Sequence, residues 1–219
     1  MTHKVFWDDP YQTALDTQVT HVDGAQVRVA ATIFYAESGG QESDTGCFND
    51  LPVLSATKDG IDIIYTLPVA HGLQPGDAVH MTLDWPRRYA LMRLHFAAEI
   101  VLELVCAAVP GIAKIGAHIA ADKARIDFTF DGSIAALLPQ LCTQANAIVA
   151  ADYVIESAFS DVTAQRRYWQ IPALAQVPCG GTHLRRTGEV GTISLKRKNI
   201  GKGKERIEIS VPMPSVSLP

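Results

Sequence analysis

The sequence lacks most features that would assign it to a specialised class. Its 219 residues include four widely spaced cysteines (Cys47, Cys106, Cys142 and Cys179), too few for a disulfide-stapled secreted domain. No apolar run approaches the length of a membrane span, and the first residues contain no apolar segment typical of a secretory signal. The net charge of -4 gives no overall argument for nucleic-acid binding. We therefore expect a cytoplasmic globular protein without membrane association.

The first part of the chain consists of short runs of β-branched residues separated by turn signals such as Asp23-Gly24 and Asp59-Gly60. Strands are predicted at residues 17–23, 26–35, 51–58, 61–67 and 77–84. Several short strands at this spacing are typical of a small barrel or sandwich. We predict a β-rich, barrel-like N-terminal domain over residues 1–85.

The pattern changes at Trp85-Pro86, because a residue before proline is disfavoured in a helix. Helical spacing of apolar residues then predicts a helix over residues 87–108. After it we predict strands at 113–119 and 123–130, a helix at 134–150, a strand at 153–159, a short helical or irregular piece at 161–169, and a hairpin of 190–195 with 206–211 connected by 196–205. We predict an α+β fold class in which residues 86–219 form a two-layer α/β domain with a mostly antiparallel sheet.

The most informative motif is Cys179-Gly180-Gly181-Thr182-His183. Thiolate and imidazole are the usual zinc ligands, and the two glycines allow them to converge. On the predicted helix, His95 and Glu99 share one face and can supply two more ligands. Each residue also has an ordinary explanation, since histidines are often core residues and Glu99 could pair with a nearby arginine.

Four segments resemble the alanyl-tRNA editing proteins, free-standing relatives of the editing domain of alanyl-tRNA synthetase and, more distantly, of threonyl-tRNA synthetase. They are the glycine-rich stretch 32–46, the start of an HxxxH helix at 92–95, a strand pair at 115–118 and 123–128, and the CxxxH segment 179–191 with the basic hairpin 196–208. Ala36 and Glu42 stand where the family usually has proline.

The resemblance implies zinc-dependent hydrolysis, in trans, of the ester that joins serine or glycine to alanine tRNA. By position, the ligands of one zinc ion would be His95, Cys179 and His183, with Glu99 in place of the second helical histidine. Three outcomes follow from this departure. Glu99 ligates zinc, acts as a general base beside a three-ligand ion, or marks loss of the metal.

Other residues acquire candidate roles by the same resemblance. Thr32 could contact the serine hydroxyl or be an ordinary strand threonine, and Gln41 could position water or the tRNA end or be a turn residue. A basic cluster on the hairpin could contact tRNA phosphates or merely be solvated; its members are Lys196, Arg197, Lys198, Lys202, Lys204 and Arg206. Arg185 and Arg186 could lie close to the acceptor end by the same resemblance. His118 and Asp127 are expected to be structural.

Two other functions compete with this one. One is a deacylase for another mischarged tRNA or a small aminoacyl ester. The other is a catalytically silent tRNA-binding or interaction module that has lost the metal with the change at Glu99.

Overall fold

A computed structural model describes residues 1–172, 174–201 and 203–212. By its internal contacts the chain divides into two compact units, one formed by Met1–Ser38 and Glu42–Tyr89, the other by Gly39–Gln41 and Ala90–Pro219. The described residues form a mixture of α-helix and β-strand, and the sheets are mostly antiparallel. No helix in these ranges is long and apolar enough to cross a membrane.

The first unit is built mainly of strands. In chain order they are β1 (His3–Lys4), β2 (Ala14–Asp23), β3 (Gln26–Val29), β4 (Ala31–Thr32), β5 (Gly46–Phe48), β6 (Leu51–Pro52), β7 (Ser55–Asp59), β8 (Asp62–Thr66) and β9 (Ala78–Leu83). Seven of them form one sheet in the order β6-β5-β9-β2-β3-β8-β7. Strand β2 pairs with β9 up to Gln18 and with β3 from Val19 onward. This change of partner curls the sheet as a half-barrel.

Two predicted strands of this unit are wrong in extent, because the chain changes its pairing partner within them. In the stretch 26–35, β3 pairs with β2 and β8, whereas β4 pairs in parallel with β1. In the stretch 51–58, β6 pairs with β5 and β7 pairs with β8. Strand propensity is similar on both sides of each break, so it does not indicate where the partner changes.

The second unit combines most of helix α1 with two antiparallel sheets and a second helix. The elements are α1 (Trp85–Ala108), β10 (Ala113–Ile119), β11 (Ala124–Thr129), α2 (Leu138–Ala150), β12 (Glu156–Asp161), β13 (Arg166–Ile171), β14 (Ala175–Pro178), β15 (Ser194–Asn199) and β16 (Lys204–Ser210). One sheet has the order β10-β11-β16-β15, and the other has the order β12-β13-β14.

Helix α1 begins two residues before the predicted start. The carboxylate of Asp84 accepts the backbone N–H of Arg87, and its carbonyl accepts that of Arg88. Pro86 is tolerated because the first turn of a helix needs no internal N–H donor. Residues 88–98 are buried throughout, so this helix provides the rigid element on which His95 is placed.

Three predictions in this unit are corrected. The stretch 161–169, predicted as helical or irregular, contains the start of β13. The predicted helix 134–150 begins as a separate 3₁₀ turn, Ile134–Ala136, and α2 starts afresh with Pro139 in its first turn. The predicted hairpin connection 196–205 is mostly strand, because β15 continues to Asn199 and β16 starts at Lys204.

Candidate metal centre

Helix α1 carries two of the candidate ligands one turn apart. His95 and Glu99 project from the same side of the helix, and His95 is buried while Glu99 is partly exposed. Close to them, the guanidinium of Arg93 donates to the backbone carbonyls of Glu189 and Val190. The helix is therefore tied to the segment that follows the CxxxH motif.

The other two candidate ligands follow strand β14 directly. Cys179 is linked to β13 by a backbone hydrogen bond of 2.9 Å, and His183 is buried. A Cβ atom on Gly181 would lie 2.2 Å from Cε1 of His95, so only glycine allows the loop to pass this imidazole. Gly180 is different, because a Cβ atom there would meet nothing within 4 Å.

The structure brings these four side chains together. The donor atoms of His95, Cys179 and His183 all lie within 4.8 Å of one another. Nε2 of His95 is 3.2 Å from Sγ of Cys179, and Nε2 of His183 is 3.3 Å from it. Oε1 of Glu99 is 3.3 Å from Nε2 of His95 and 3.6 Å from the same sulfur. Ordinary zinc bond lengths give tetrahedron edges of about 3.4–3.6 Å, so the donor set fits a zinc ion in type and spacing.

Gln41 approaches the site from an extended segment beside β10. Residue 41 forms a parallel bridge with Ile119, and the carbonyl of Gly40 accepts the Ile119 backbone N–H at 2.7 Å. The Gln41 side chain is fully buried. Its Oε1 lies 2.5 Å from Nδ1 of His95, and its Nε2 donates to the Thr182 hydroxyl at 3.1 Å. The amide therefore connects the helical ligand with the CxxxH loop.

His183 has a comparable partner on β12. The hydroxyl of Ser157 lies 2.9 Å from Nδ1 of His183. A ligating histidine usually gives its second ring N–H to an acceptor, which fixes its tautomer and orientation. Gln41 and Ser157 provide such acceptors, so in both histidines Nε2 is the nitrogen that faces the sulfur of Cys179.

Glu99 is held by a tryptophan from β13. The indole Nε1 of Trp169 donates to Oε2 of Glu99 at 3.2 Å. Trp169 is 1% exposed, and its ring packs edge-on against Phe96 with centroids 5.0 Å apart. The other carboxylate oxygen, Oε1, is the one that faces the histidine and cysteine donors.

The buried groups shift one another's pKa. Burial alone would lower the pKa of His95, but negative charge at Cys179 and Glu99 outweighs it and raises the pKa to about 10. Burial would raise the pKa of Glu99, yet hydrogen bonds from His95 and Trp169 lower it to about 2. Burial and the positive charge of His95 lower the pKa of His183 to about 3. In the metal-free protein these shifts favour a protonated His95 beside an ionised Glu99.

Thr32 belongs to the first unit, where it is fully buried. Its hydroxyl lies 2.5 Å from the Tyr65 hydroxyl and accepts the Phe34 backbone N–H at 3.0 Å. These two bonds give Thr32 a structural task in that unit. A contact with the substrate hydroxyl stays a prediction.

The predicted basic residues differ in their surroundings. Arg185 is exposed, and Arg186 pairs with Asp152 at 2.6 Å. Arg197 donates from Nε and Nη2, each at 2.5 Å, to the two oxygens of the buried Glu205 carboxylate. Exposed lysines of β15 and β16 are Lys196, Lys198 and Lys204. Lys202 lies outside the described residues.

Two residues of this centre were missed by sequence reasoning, Ser157 and Trp169. They lie directly opposite each other on β12 and β13. Both are far in sequence from the ligands they contact, and β13 itself was not predicted. The run Tyr168-Trp169-Gln170-Ile171, rich in residues that favour strands, is the sequence signal that could have revealed β13.

The chain is similar to several known proteins. Residues 177–208 match the family model described as the threonyl and alanyl tRNA synthetase second additional domain. The chain is 32% identical over 216 residues to the alanyl-tRNA editing protein AlaX-M of Pyrococcus horikoshii, covering 95% of this chain and 97% of that protein. It is 28% identical over 244 residues to AlaX-M of Methanosarcina mazei, covering 96% and 97%. Identity to the alanine–tRNA ligase of Methanococcus maripaludis is 31% over 238 residues, which is 99% of this chain but 27% of the ligase.

Proposed function

The chain belongs to the family of alanyl-tRNA editing proteins, and from this premise we propose that it hydrolyses, in trans, the ester bond of serine- or glycine-charged alanine tRNA with the help of one zinc ion. Such an activity has a physical reason. An apolar pocket shaped for alanine rejects an added hydroxyl poorly, so a second hydrolytic site is needed to remove serine.

The observation that carries the proposal is the convergence of one sulfur, two nitrogens and one carboxylate oxygen at distances that suit a tetrahedral ion. The residues that would hold zinc are His95, Glu99, Cys179 and His183. When bound, zinc would supply Lewis acidity for ester hydrolysis at neutral pH, which requires that a water or ester oxygen join these four ligands or replace one of them.

The protein's own contribution is to fix the ligands before the ion arrives. Oε1 of Gln41 accepts a hydrogen bond from a proton-bearing Nδ1 of His95, and the Ser157 hydroxyl is able to accept from Nδ1 of His183 in the same way. Once Nε2 of His95 has lost its proton, the lone pairs of both Nε2 atoms would be directed towards the same point. We therefore assign Gln41 to orienting His95.

Three roles were considered for Glu99, and the surroundings of its two carboxylate oxygens favour zinc ligation. Oε2 accepts the Trp169 indole N–H, while Oε1 lies among the other donors. A general base needs an oxygen that faces the substrate, and both oxygens of Glu99 are already engaged. The intact donor set also argues against loss of the metal.

We place the contact with tRNA on one face of the four-stranded sheet. Because side chains alternate along each strand and the strand register is known, the members of this face can be assigned. Its basic side chains are Arg125, Lys196, Lys198, Lys204 and Arg206, and its acidic ones are Asp127 and Glu208. The basic side chains outnumber the acidic ones here, although the whole chain carries a net charge of -4.

The lysines are the members of this face best suited to bind phosphates. Lys196, Lys198 and Lys204 are exposed, whereas Arg206 is anchored by Asp127 at 2.6 Å. Arg197 points to the opposite face, where its pairing with buried Glu205 gives it a structural role. We therefore leave Arg197 out of the proposed RNA surface. Arg125 lies on this face but, like Arg206, is paired with Asp127, so the lysines remain the main candidates.

A deacylation assay tests the substrate. Alanine tRNA charged with serine, with glycine or with alanine is mixed with the purified protein, and the remaining ester is followed over time. We expect cleavage of the first two and retention of the third. Cleavage of another aminoacyl ester instead would favour the alternative deacylase, and tRNA binding without any cleavage would favour the silent module.

A further inference from the structure

The bond between Trp169 and Glu99 has a chemical meaning beyond packing. An indole N–H can only donate a hydrogen bond, and a carboxylate can only accept one. A ligating histidine at position 99 would instead need an acceptor for its second ring N–H. The tryptophan is therefore matched to the carboxylate of this chain and not to a histidine.

The geometry of the carboxylate follows from this match. With Oε2 engaged by Trp169 at 3.2 Å, the plane of the carboxylate is fixed and Oε1 lies 3.3 Å from Nε2 of His95 and 3.6 Å from Sγ of Cys179. Without the indole, a glutamate side chain has three rotatable torsions that would have to be ordered when the metal binds.

The indole is itself held in place. Its ring packs edge-on against Phe96, the residue after His95, with centroids 5.0 Å apart. The backbone of Trp169 is paired on both sides, with Ser157 of β12 and with Val177 of β14. Ser157, the cross-strand neighbour of Trp169, contacts His183. The two neighbouring residues Ser157 and Trp169 therefore contact two candidate ligands, His183 and Glu99.

We propose that Trp169 is a positioning residue that makes Glu99 the fourth zinc ligand, by holding Oε2 so that Oε1 completes the site formed by His95, Cys179 and His183. This inference rests on the proposed zinc site. It adds the interaction that allows a glutamate to serve as a ligand where the family has a histidine. It concerns ligand orientation, so metal affinity is the quantity that it affects first.

A double-mutant cycle tests the coupling. Zinc affinity is measured by chelator competition for the wild type, Trp169→Phe, Glu99→Ala and the double variant, and bound Co²⁺ is examined by absorption spectroscopy. We expect Trp169→Phe to weaken zinc binding by about 10-fold and to change the Co²⁺ d–d bands. In the Glu99→Ala background the same change should alter the affinity by less than about 2-fold, because the carboxylate is gone.

Equal losses in both backgrounds would overturn the proposal, because they would mean that Trp169 acts through packing alone. A wild type that binds zinc tightly and a Trp169→Phe variant that binds it equally well would overturn this inference while leaving the zinc-dependent function intact. A wild type that binds no zinc would overturn both.

A second measurement does not require a change in the core. The protein contains three tryptophans, and their indole N–H groups can be followed by NMR after ¹⁵N labelling. Adding Zn²⁺ should move the Trp169 resonance, because its acceptor shares electron density with the ion. A Trp169 resonance that stays in place while zinc binds would contradict the proposal.

Discussion

Oε1 of Gln41 lies 2.5 Å from Nδ1 of His95, although the two residues are 54 positions apart in the chain. The bond connects the short segment beside β10 with the middle of helix α1. It sets the tautomer of His95, and through Thr182 the same amide reaches the CxxxH loop. The glycine-rich motif thus acts on the metal centre indirectly, by orienting one of its candidate ligands.

Replacing Gln41 by alanine should lower zinc affinity by about 10–100-fold, the usual effect of removing the hydrogen-bond partner of a ligating histidine. Chelator competition measures this. Gln41→Glu is the matched control, because it keeps an acceptor oxygen for His95 and should stay closer to the wild type. If both variants bind zinc as the wild type does, the orienting role is wrong.

Gly181→Ala should abolish zinc binding, because its Cβ would lie 2.2 Å from Cε1 of His95 and one of the two must move. Gly180→Ala provides a neighbouring control, since nothing lies within 4 Å of a Cβ there. Metal content after dialysis distinguishes the two. Equal zinc content in both variants would show that the close packing against His95 is not required.

Zinc loading should release at least one proton at about pH 7.5, because ligands must lose their protons to bind a metal. His95, whose pKa is raised to about 10, carries a proton in the metal-free protein. Glu99, with its pKa lowered to about 2, carries none. Affinity should therefore increase with pH up to about 10. Calorimetric titration in two buffers of different ionisation enthalpy counts the protons, and identical heats would contradict this assignment.

Changing Lys196 and Lys198 to glutamine should weaken tRNA binding and flatten its dependence on salt, by about 0.7–0.9 in the log–log slope for each phosphate that the protein no longer neutralises. Arg166→Gln is the control, because this exposed arginine lies on β13, which is not part of the four-stranded sheet that carries the proposed tRNA contact. Cleavage of a minimal aminoacyl ester should be unaffected. If all variants show the same salt slope, the proposed face of the four-stranded sheet does not bind tRNA phosphates.

Much of the candidate centre could be predicted from short-range pattern. The i,i+4 spacing of His95 and Glu99 needs only a helix to place both on one side, and the glycines between Cys179 and His183 indicate a tight loop. The strand predicted at 113–119 coincides with β10, because the turn signal Pro110-Gly111 marks where the preceding helix ends. Motif order along the chain then indicates the family.

The supports of the site could not be predicted in this way. Ser157 and Trp169 reach His183 and Glu99 only because β12 and β13 pair in one particular register. Register is set by long-range packing and turn geometry, not by local propensity. For the same reason Arg197 resembles any other basic residue of the hairpin in sequence, and its pairing with buried Glu205 is evident only from the structure.

The most direct test of the account combines metal analysis with hydrolysis of serine-charged alanine tRNA. The purified protein should contain one zinc ion per chain, lose its deacylase activity on chelation and regain it when zinc is restored. Cys179→Ala should contain no zinc and remain inactive after the same treatment. Zinc-free wild-type protein together with unimpaired hydrolysis by Cys179→Ala would contradict the central claim that this cluster is a catalytic zinc site.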